Sequence, residues 1–511
     1  MKWGKFHCND KDNRLFLCVV AALLLLTFRT FAEDTKYGVV FSPRLQKAYF
    51  EIQKLRLPSA RQLIDAERGQ QSANAFIPYL DNYADLHYLL ISEDKAAYKI
   101  LAQKEDQRLA SVDKLPDNSP YKRFFQAEIR MHWAFAKLKY GNELSGSWEI
   151  IKAYRLLEEN RKTFPDFLPT QKSLGLLHVL IGSIPDNYLW VAKILGLKGS
   201  ITMGINELRV VAKEEPFFKQ EAELIDLLLH AYTLKLSPAQ QNRIRQWPKE
   251  QPDNLLLHFF ATTVLMKEGK SEEASYYLEE APSGPMYIDF PFLQYLRGEI
   301  RLQKGDYEAA YDHYLLFQKH YHGFNYLKDT NLKLFMCRWL DGKDPEANAF
   351  IRKIAGNGST IVEADQFAQR IAEEYLAGKI GRQQKVLYKA RYATDGGYLD
   401  TAMDLIQSVN EKSFISITEK AEFNYRKGRI LQKSRQDEKS LPYYERAIQL
   451  SESSAAGFGA ASALQLGYIF MEKSEQKKAA LYFKKAMSYK KHEYKNSIDN
   501  KARAALTQLG Q

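Results

Sequence analysis

The chain reads as an all-α protein, an α-α superhelix of stacked antiparallel helix hairpins, on three observations. Hydrophobic residues make up 45% of it, with only 17 prolines and 27 glycines, a balance that argues against disorder and suits a mainly helical globular chain. Its 511 residues exceed what one compact core supports, so either several domains or a repeat array is required. Between Ala421 and Ala486, one hairpin pattern is written twice in succession.

The two copies are FNYRKGRILQKSRQDEKSLPYYERAI and ASALQLGYIFMEKSEQKKAALYFKKAM. Gly428 and Gly467 occupy the same place in each, and twelve residues later come Ser440 and Ala479. Tyr444 and Phe483 follow, and then Ala447 and Ala486. Antiparallel helices joined by a short turn approach closely only where side chains are small, which accounts for Gly, Ala or Ser at the crossing. The aromatic on the second helix is expected to wedge between one hairpin and the next. No single hairpin hides its apolar face, so copies must stack. This order of small, turn, small, aromatic and alanine resembles the tetratricopeptide repeat (TPR), a helix pair of about 34 residues.

In chain order, residues 1–32 read as an export signal. Lys2, Lys5, Lys11 and Arg14 precede an apolar run from Leu15 to Phe28, and Thr30-Phe31-Ala32 offers small residues for a signal peptidase. The run falls short of the roughly 20 residues of a membrane span. An exported, periplasmic or envelope-associated location is expected, with an uncleaved N-terminal anchor as the alternative. Ser42-Pro43 then begins a helix, Ser as cap and Pro at the first helical position. Over 33–170 degenerate hairpins are expected, with Ala48/Ala60 and Ala84/Ala96 at the small-to-small spacing. A longer hairpin follows, FFQAEIRMHWAFAKLKY and SWEIIKAYRLLEENRKTF joined by GNELSG.

Residues 171–250 break the periodicity with Pro185, Gly196, Gly199 and Gly204. Here GSWEIIKAYRLLEEN, an apolar helix, and IPDNYLWVAKILGLKGSITMGINEL are similar to the eukaryotic inclusion-body-clearance tetratricopeptide family, through Ile184, Pro185, Leu195, Gly196, Gly199, Gly204, Ile205 and Leu208. That resemblance implies a non-enzymatic helical array associated with membranes or lipid. The export signal departs from the family, so the resemblance is carried over for architecture alone.

The array proper is expected over 251–490, anchored at Thr262/Ala274, Gly298/Ala310, Phe335/Ala347, Ala390/Ala402, Gly428/Ser440 and Gly467/Ala479. Lys304-Gly305-Asp306, Asp341-Gly342-Lys343-Asp344 and Asp395-Gly396-Gly397 supply turns. The long gap between Ala347 and Ala402 predicts a loop and one extra helix. Residues 491–511 are expected to be a basic cap with a polar outer face.

The formal net charge is +11, mild for this length and read as solvated helix faces, so no nucleic-acid partner is expected. Cys8, Cys18 and Cys337 are the three cysteines; two lie in the leader, which excludes a disulfide framework and a cysteine-based zinc site. His313, His320 and His322 lack the i, i+4 spacing of a metal helix. Gly356-Asn357-Gly358-Ser359-Thr360 lacks the Gly-Lys-Ser/Thr ending of a phosphate loop. No catalytic constellation, metal or cofactor is expected.

What remains is a binding surface. Counting the small anchor of each first helix as position eight, positions two, five, nine and twelve face a concave groove. They include Phe292, Tyr295, Glu299, Arg391, Glu422, Tyr425, Arg429, Leu464 and Tyr468. Among these, Tyr295, Glu299, Arg391, Tyr425, Arg429 and Tyr468 are the candidate partner-binding residues, since aromatics and arginine supply most interface energy. The expected function is a non-catalytic scaffold for a protein or peptide, with possible membrane association and no assignment of oligomeric state. The competing expectation is a lipid or small-ligand pocket within 174–212.

Overall fold

A computed structural model of the chain describes residues 37–511 apart from 185–188, 357, 452–456, 491 and 493. The expected export signal and Pro185 lie outside the described residues. Among those residues the secondary structure is helical, with no strand and one isolated bridge, Gly38 to Asn74. No described helix is long and apolar enough to cross a membrane.

The first hairpin pairs α1 (Pro43–Gln53) with α2 (Leu57–Gln70). The predicted cap is in place, Ser42 accepting a hydrogen bond from the Leu45 amide at 3.3 Å. After it come α3 (Phe76–Ser92), the short α4 (Lys95–Ala102) and α5 (Glu105–Asp113), and the long pair α6 (Pro120–Lys139) and α7 (Glu143–Thr163). Two expectations change here. Ala84 is buried, but Ala96 is exposed at the start of α4, so the two do not form a crossing; α3 packs on α6 instead. The α6–α7 connection is shorter than GNELSG, because Gly146 lies inside α7 at the crossing, where a methyl group would come within 2.8 Å of Leu138 Cγ.

The middle section comprises α8 (Pro169–Gly182), α9 (Leu189–Ile194), α10 (Ile201–Glu214), α11 (Lys219–Tyr232) and α12 (Pro238–Glu250). Its glycines have a packing cause. A methyl group on Gly204 would lie 2.3 Å from the Gly175 carbonyl oxygen, and one on Gly175 would lie 2.8 Å from the Gly204 carbonyl oxygen. Helices α8 and α10 therefore cross backbone to backbone, which leaves no room for a ligand between them.

The array follows as α13 (Leu255–Lys267) with α14 (Ser271–Glu279), α15 (Phe292–Lys304) with α16 (Tyr307–His320), and α17 (Leu327–Leu340) with α18 (Asp344–Ile351). The predicted extra helix is α19 (Glu363–Leu376), packed on α17. Then come α20 (Gln384–Gly396) with α21 (Leu399–Gln407), α22 (Ile417–Lys433) with α23 (Asp437–Leu450), and α24 (Phe458–Glu472) with α25 (Gln476–Ser488), closed by α26 (Lys495–Gln508). Gly305 and Gly397 end α15 and α20 at φ +86° and +87°, the left-handed conformation a helix stop needs. All six anchor pairs of the array are buried, on helices that pack within their hairpins. The aromatic is more specific than a wedge: the rings of Tyr314, Tyr444 and Phe483 lie directly over Gly298, Gly428 and Gly467 of their own hairpins. Tyr444 also belongs to the core of the following hairpin, together with Ala460 and Ala463.

The superhelix closes on itself. Helix α15 packs against α20, skipping the hairpin between them, and the Gly269 and Gly397 turns abut. The N-terminal hairpins brace the array, with Lys54 paired to Asp253 at 2.7 Å and the Asn325 amide donating to Glu93 Oε2 at 3.1 Å. The last helix is not an outward-facing cap. Ala502, Ala505 and Leu506 pack on the preceding hairpin, while Ala504 packs against Val179, Ile201 and Ile205 of α8 and α10. Lys235, just after α11, pairs with Glu472 at the end of α24. The chain thus forms a circuit of helices from the middle section through the array and back.

Candidate binding site on the inner face

The first helices of the array supply the inner face, and the six candidate residues divide between core and surface. Tyr295 is core: 7% exposed, it donates to Asp329 Oδ2 at 2.5 Å and stacks 4.8 Å from Phe292. Glu299, one turn on, accepts from the Tyr314 hydroxyl and pairs with Lys333 at 2.7 Å. Asp329 and Lys333 stand one turn apart on α17 and face Tyr295 and Glu299 on α15, so two i, i+4 pairs satisfy each other across a helix contact. Burial pushes the Asp329 carboxyl up to about 6. The signal for this in the sequence was the matched spacing of polar residues on neighbouring first helices, and the structure places Tyr295 and Glu299 in that buried network instead of an open groove.

The other four stand on α20, α22 and α24, the first helices of consecutive hairpins. The Arg391 guanidinium lies 5.1 Å over Phe367, with Asp395 Oδ2 at 3.7 Å. Arg429 donates to Gln432 at 2.9 Å and to Gln465 at 2.7 Å, and forms no ion pair among the described residues. Tyr425 lies 5.8 Å from Phe458, and Tyr468 stands edge-on to Phe483 at 5.3 Å. Both rings are half-buried, and neither hydroxyl has a hydrogen-bond partner among the described residues. Burial pushes the Tyr468 hydroxyl up to about 12. Each ring therefore presents a rigid apolar body and an unengaged polar tip. By contrast, Leu464, also predicted to face inward, is buried in the core, as is Leu387 at the same position five of α20.

Three lysines absent from the predicted set join this surface. Lys267 and Lys433 each stand five residues beyond their anchors, Thr262 and Gly428, with Asp395 at the same place after Ala390. This is position thirteen, one turn past position nine on the same helix face, so extending the inward stripe by one turn would have found them. Lys433 donates to the Thr394 carbonyl at 3.2 Å, and Lys267 donates to the Ala231 carbonyl with its ammonium 5.1 Å over Tyr232. Each thus sits at the C-terminal end of a neighbouring helix. Lys501, on α26, has no hydrogen bond or ion pair among the described residues, and no local pattern could have brought it here. Burial lowers the proton affinity of all three; Lys501 lowers that of Lys267, and Arg429 that of Lys433 and Lys501.

Elsewhere, Cys337 is buried in α17, and burial pushes its thiol up, away from the thiolate form that nucleophilic chemistry uses. Among the described residues no group of three or more His, Cys, Asp or Glu side chains is arranged to hold a metal ion. No protein-family model matches the chain, and no curated protein matches it in sequence.

Proposed function

We propose that the chain is an exported, non-catalytic protein of the tetratricopeptide type that holds a segment of a protein partner on its inner face and serves as a scaffold. One observation carries this reading. The first helices of consecutive hairpins carry Arg391, Tyr425, Arg429 and Tyr468, all half-buried, with neither tyrosine hydroxyl hydrogen-bonded and Arg429 in no ion pair among the described residues. Rigid aromatic rings and arginine already fixed in place lose little freedom on binding, which is what an interface hot spot requires. The repeat spacing supports the family reading and the leader at 1–32 supports export.

The test is a photo-crosslinking amino acid placed at Tyr468 of the chain in its native host, with Tyr276 as the control. Tyr276 is 52% exposed on the second helix of its hairpin, outside the inner face. A discrete protein adduct from position 468 that is absent at position 276, and reduced at least fivefold by Tyr425→Ala, is the expected result. Adducts identical at both positions, or none at 468, would overturn the reading.

A further inference from the structure

A cationic patch stands where α13, α20, α22 and α26 come together. Lys267, Arg391, Arg429, Lys433 and Lys501 reach it from α13, α20, α22 and α26, helices far apart in sequence. Of the carboxylates acting on them, Asp395 is engaged by Arg391 at 3.7 Å. Glu268 and Glu363 exert only a through-space influence, on Lys267 and Lys433 and on Lys501 respectively, and neither forms an ion pair among the described residues. Arg429 and Lys501 therefore form no ion pair with a carboxylate among the described residues, Asp395 and Glu363 acting on them only through space. Lys267 and Lys433 are each held in position through one N–H on a helix-end carbonyl, with no other hydrogen bond among the described residues. Like charges gathered in a half-buried site destabilise the empty protein unless a counter-charge arrives.

Accepting the partner-binding reading above, we propose that the occupant of this surface is an acidic peptide segment, whose run of carboxylates is neutralised by Arg429 and Lys501, with Lys433 and Lys267 flanking. A multiply charged anion is the chemistry that fits. A peptide is the source that also uses Tyr425, one turn before Arg429 on α22, and Tyr468 on the next first helix, rings whose hydroxyls can meet a backbone.

The experiment is fluorescence anisotropy on the full chain with labelled octaglutamate, labelled octaglutamine and tripolyphosphate as competitor. Octaglutamate is expected to bind, weakening as salt rises, and to lose at least tenfold in the Arg429→Gln/Lys501→Gln variant. Lys478→Gln, on an exposed side chain paired with Glu475 at 2.6 Å, should leave it within twofold. Octaglutamine should not bind. A thermal melt separates a binding role from a structural one: Lys501→Gln should melt no lower than the native chain, because it removes repulsion. Equal binding of octaglutamine, retention of octaglutamate binding in the double variant, no binding at all, or a lowered melting temperature of Lys501→Gln would each overturn the proposal. Binding of tripolyphosphate without octaglutamate would overturn the peptide as source. A crosslink at Tyr468 that survives in the double variant would leave the scaffold reading standing and sink the acidic anchor alone.

Discussion

A methyl group on Gly467 would lie 2.5 Å from the ring carbons of Phe483, and one on Gly428 would lie 2.9 Å from those of Tyr444. Both glycines sit inside helices, where alanine is intrinsically favoured by about 1 kcal/mol. Overpacking against a fixed ring costs about 1–3 kcal/mol, so at Gly467 sterics should win. Gly467→Ala is expected to lower stability by about 1–2 kcal/mol by chemical denaturation, more than Gly428→Ala, and Phe483→Leu should partly rescue it. Gly69, in α2 with nothing within 4 Å, is the counter-case: Gly69→Ala should gain about 0.5–1 kcal/mol. The anchors were legible in the sequence because a hairpin crossing is set by spacing within some 20 residues of chain. The fate of Tyr295 and Glu299 was legible only by comparing neighbouring hairpins, because it depends on Asp329 and Lys333 at the matched spacing on the following first helix. Lys267 and Lys433 occupied a repeated position and could have been read from it.

Among the elements, α3 and α6 build a core that holds buried polar groups. His132 on α6 meets the Asn82 side chain at 3.0 Å, and nearby the buried Lys172 of α8 pairs with Glu128 at 2.7 Å and Glu221 at 2.9 Å. Burial, aided by the positive charge of Lys172, pulls the His132 pKa down to about 3, and burial takes His87 on α3 to about 4. Because the folded values lie below the unfolded 6.5, the unfolded chain binds more protons between them. Stability is therefore fully present above about pH 6.5 and is lost as pH falls toward the folded values. From pH 7 to pH 5 His132 alone should cost about 2 kcal/mol, seen as a falling urea midpoint that His132→Gln flattens. At this scale the helix pairs of the array were readable from period and turn residues. The short α4 and α5, which displaced the Ala84/Ala96 crossing, were not, because α3 found its partner in α6 beyond them.

Over the whole molecule, the contacts that close the circuit join residues far apart in sequence, Gly269 to Gly397 and Val179 to Ala504 among them, and no local pattern announces them. Their weights differ. Lys235 and Glu472 are 63% and 56% exposed, so their ion pair should be worth less than about 1 kcal/mol and Lys235→Ala should change little. Ala504 is buried against Val179, Ile201 and Ile205. Ala504→Glu would bury a charge there, and is expected to part the seam: a larger radius of gyration by small-angle scattering with helical circular dichroism unchanged. An open solenoid behaves as a one-dimensional stack, which can gain or lose a copy at modest cost because each unit touches only its neighbours. Here α26 must arrive opposite α8 and α10, and α20 opposite α15. The number of hairpins is consequently an integer set by closure: duplicating or deleting one would carry the terminal helix past its seat. A lineage of such chains can vary its loops and its inner-face side chains freely, but its copy number only by rebuilding the seam at the same time.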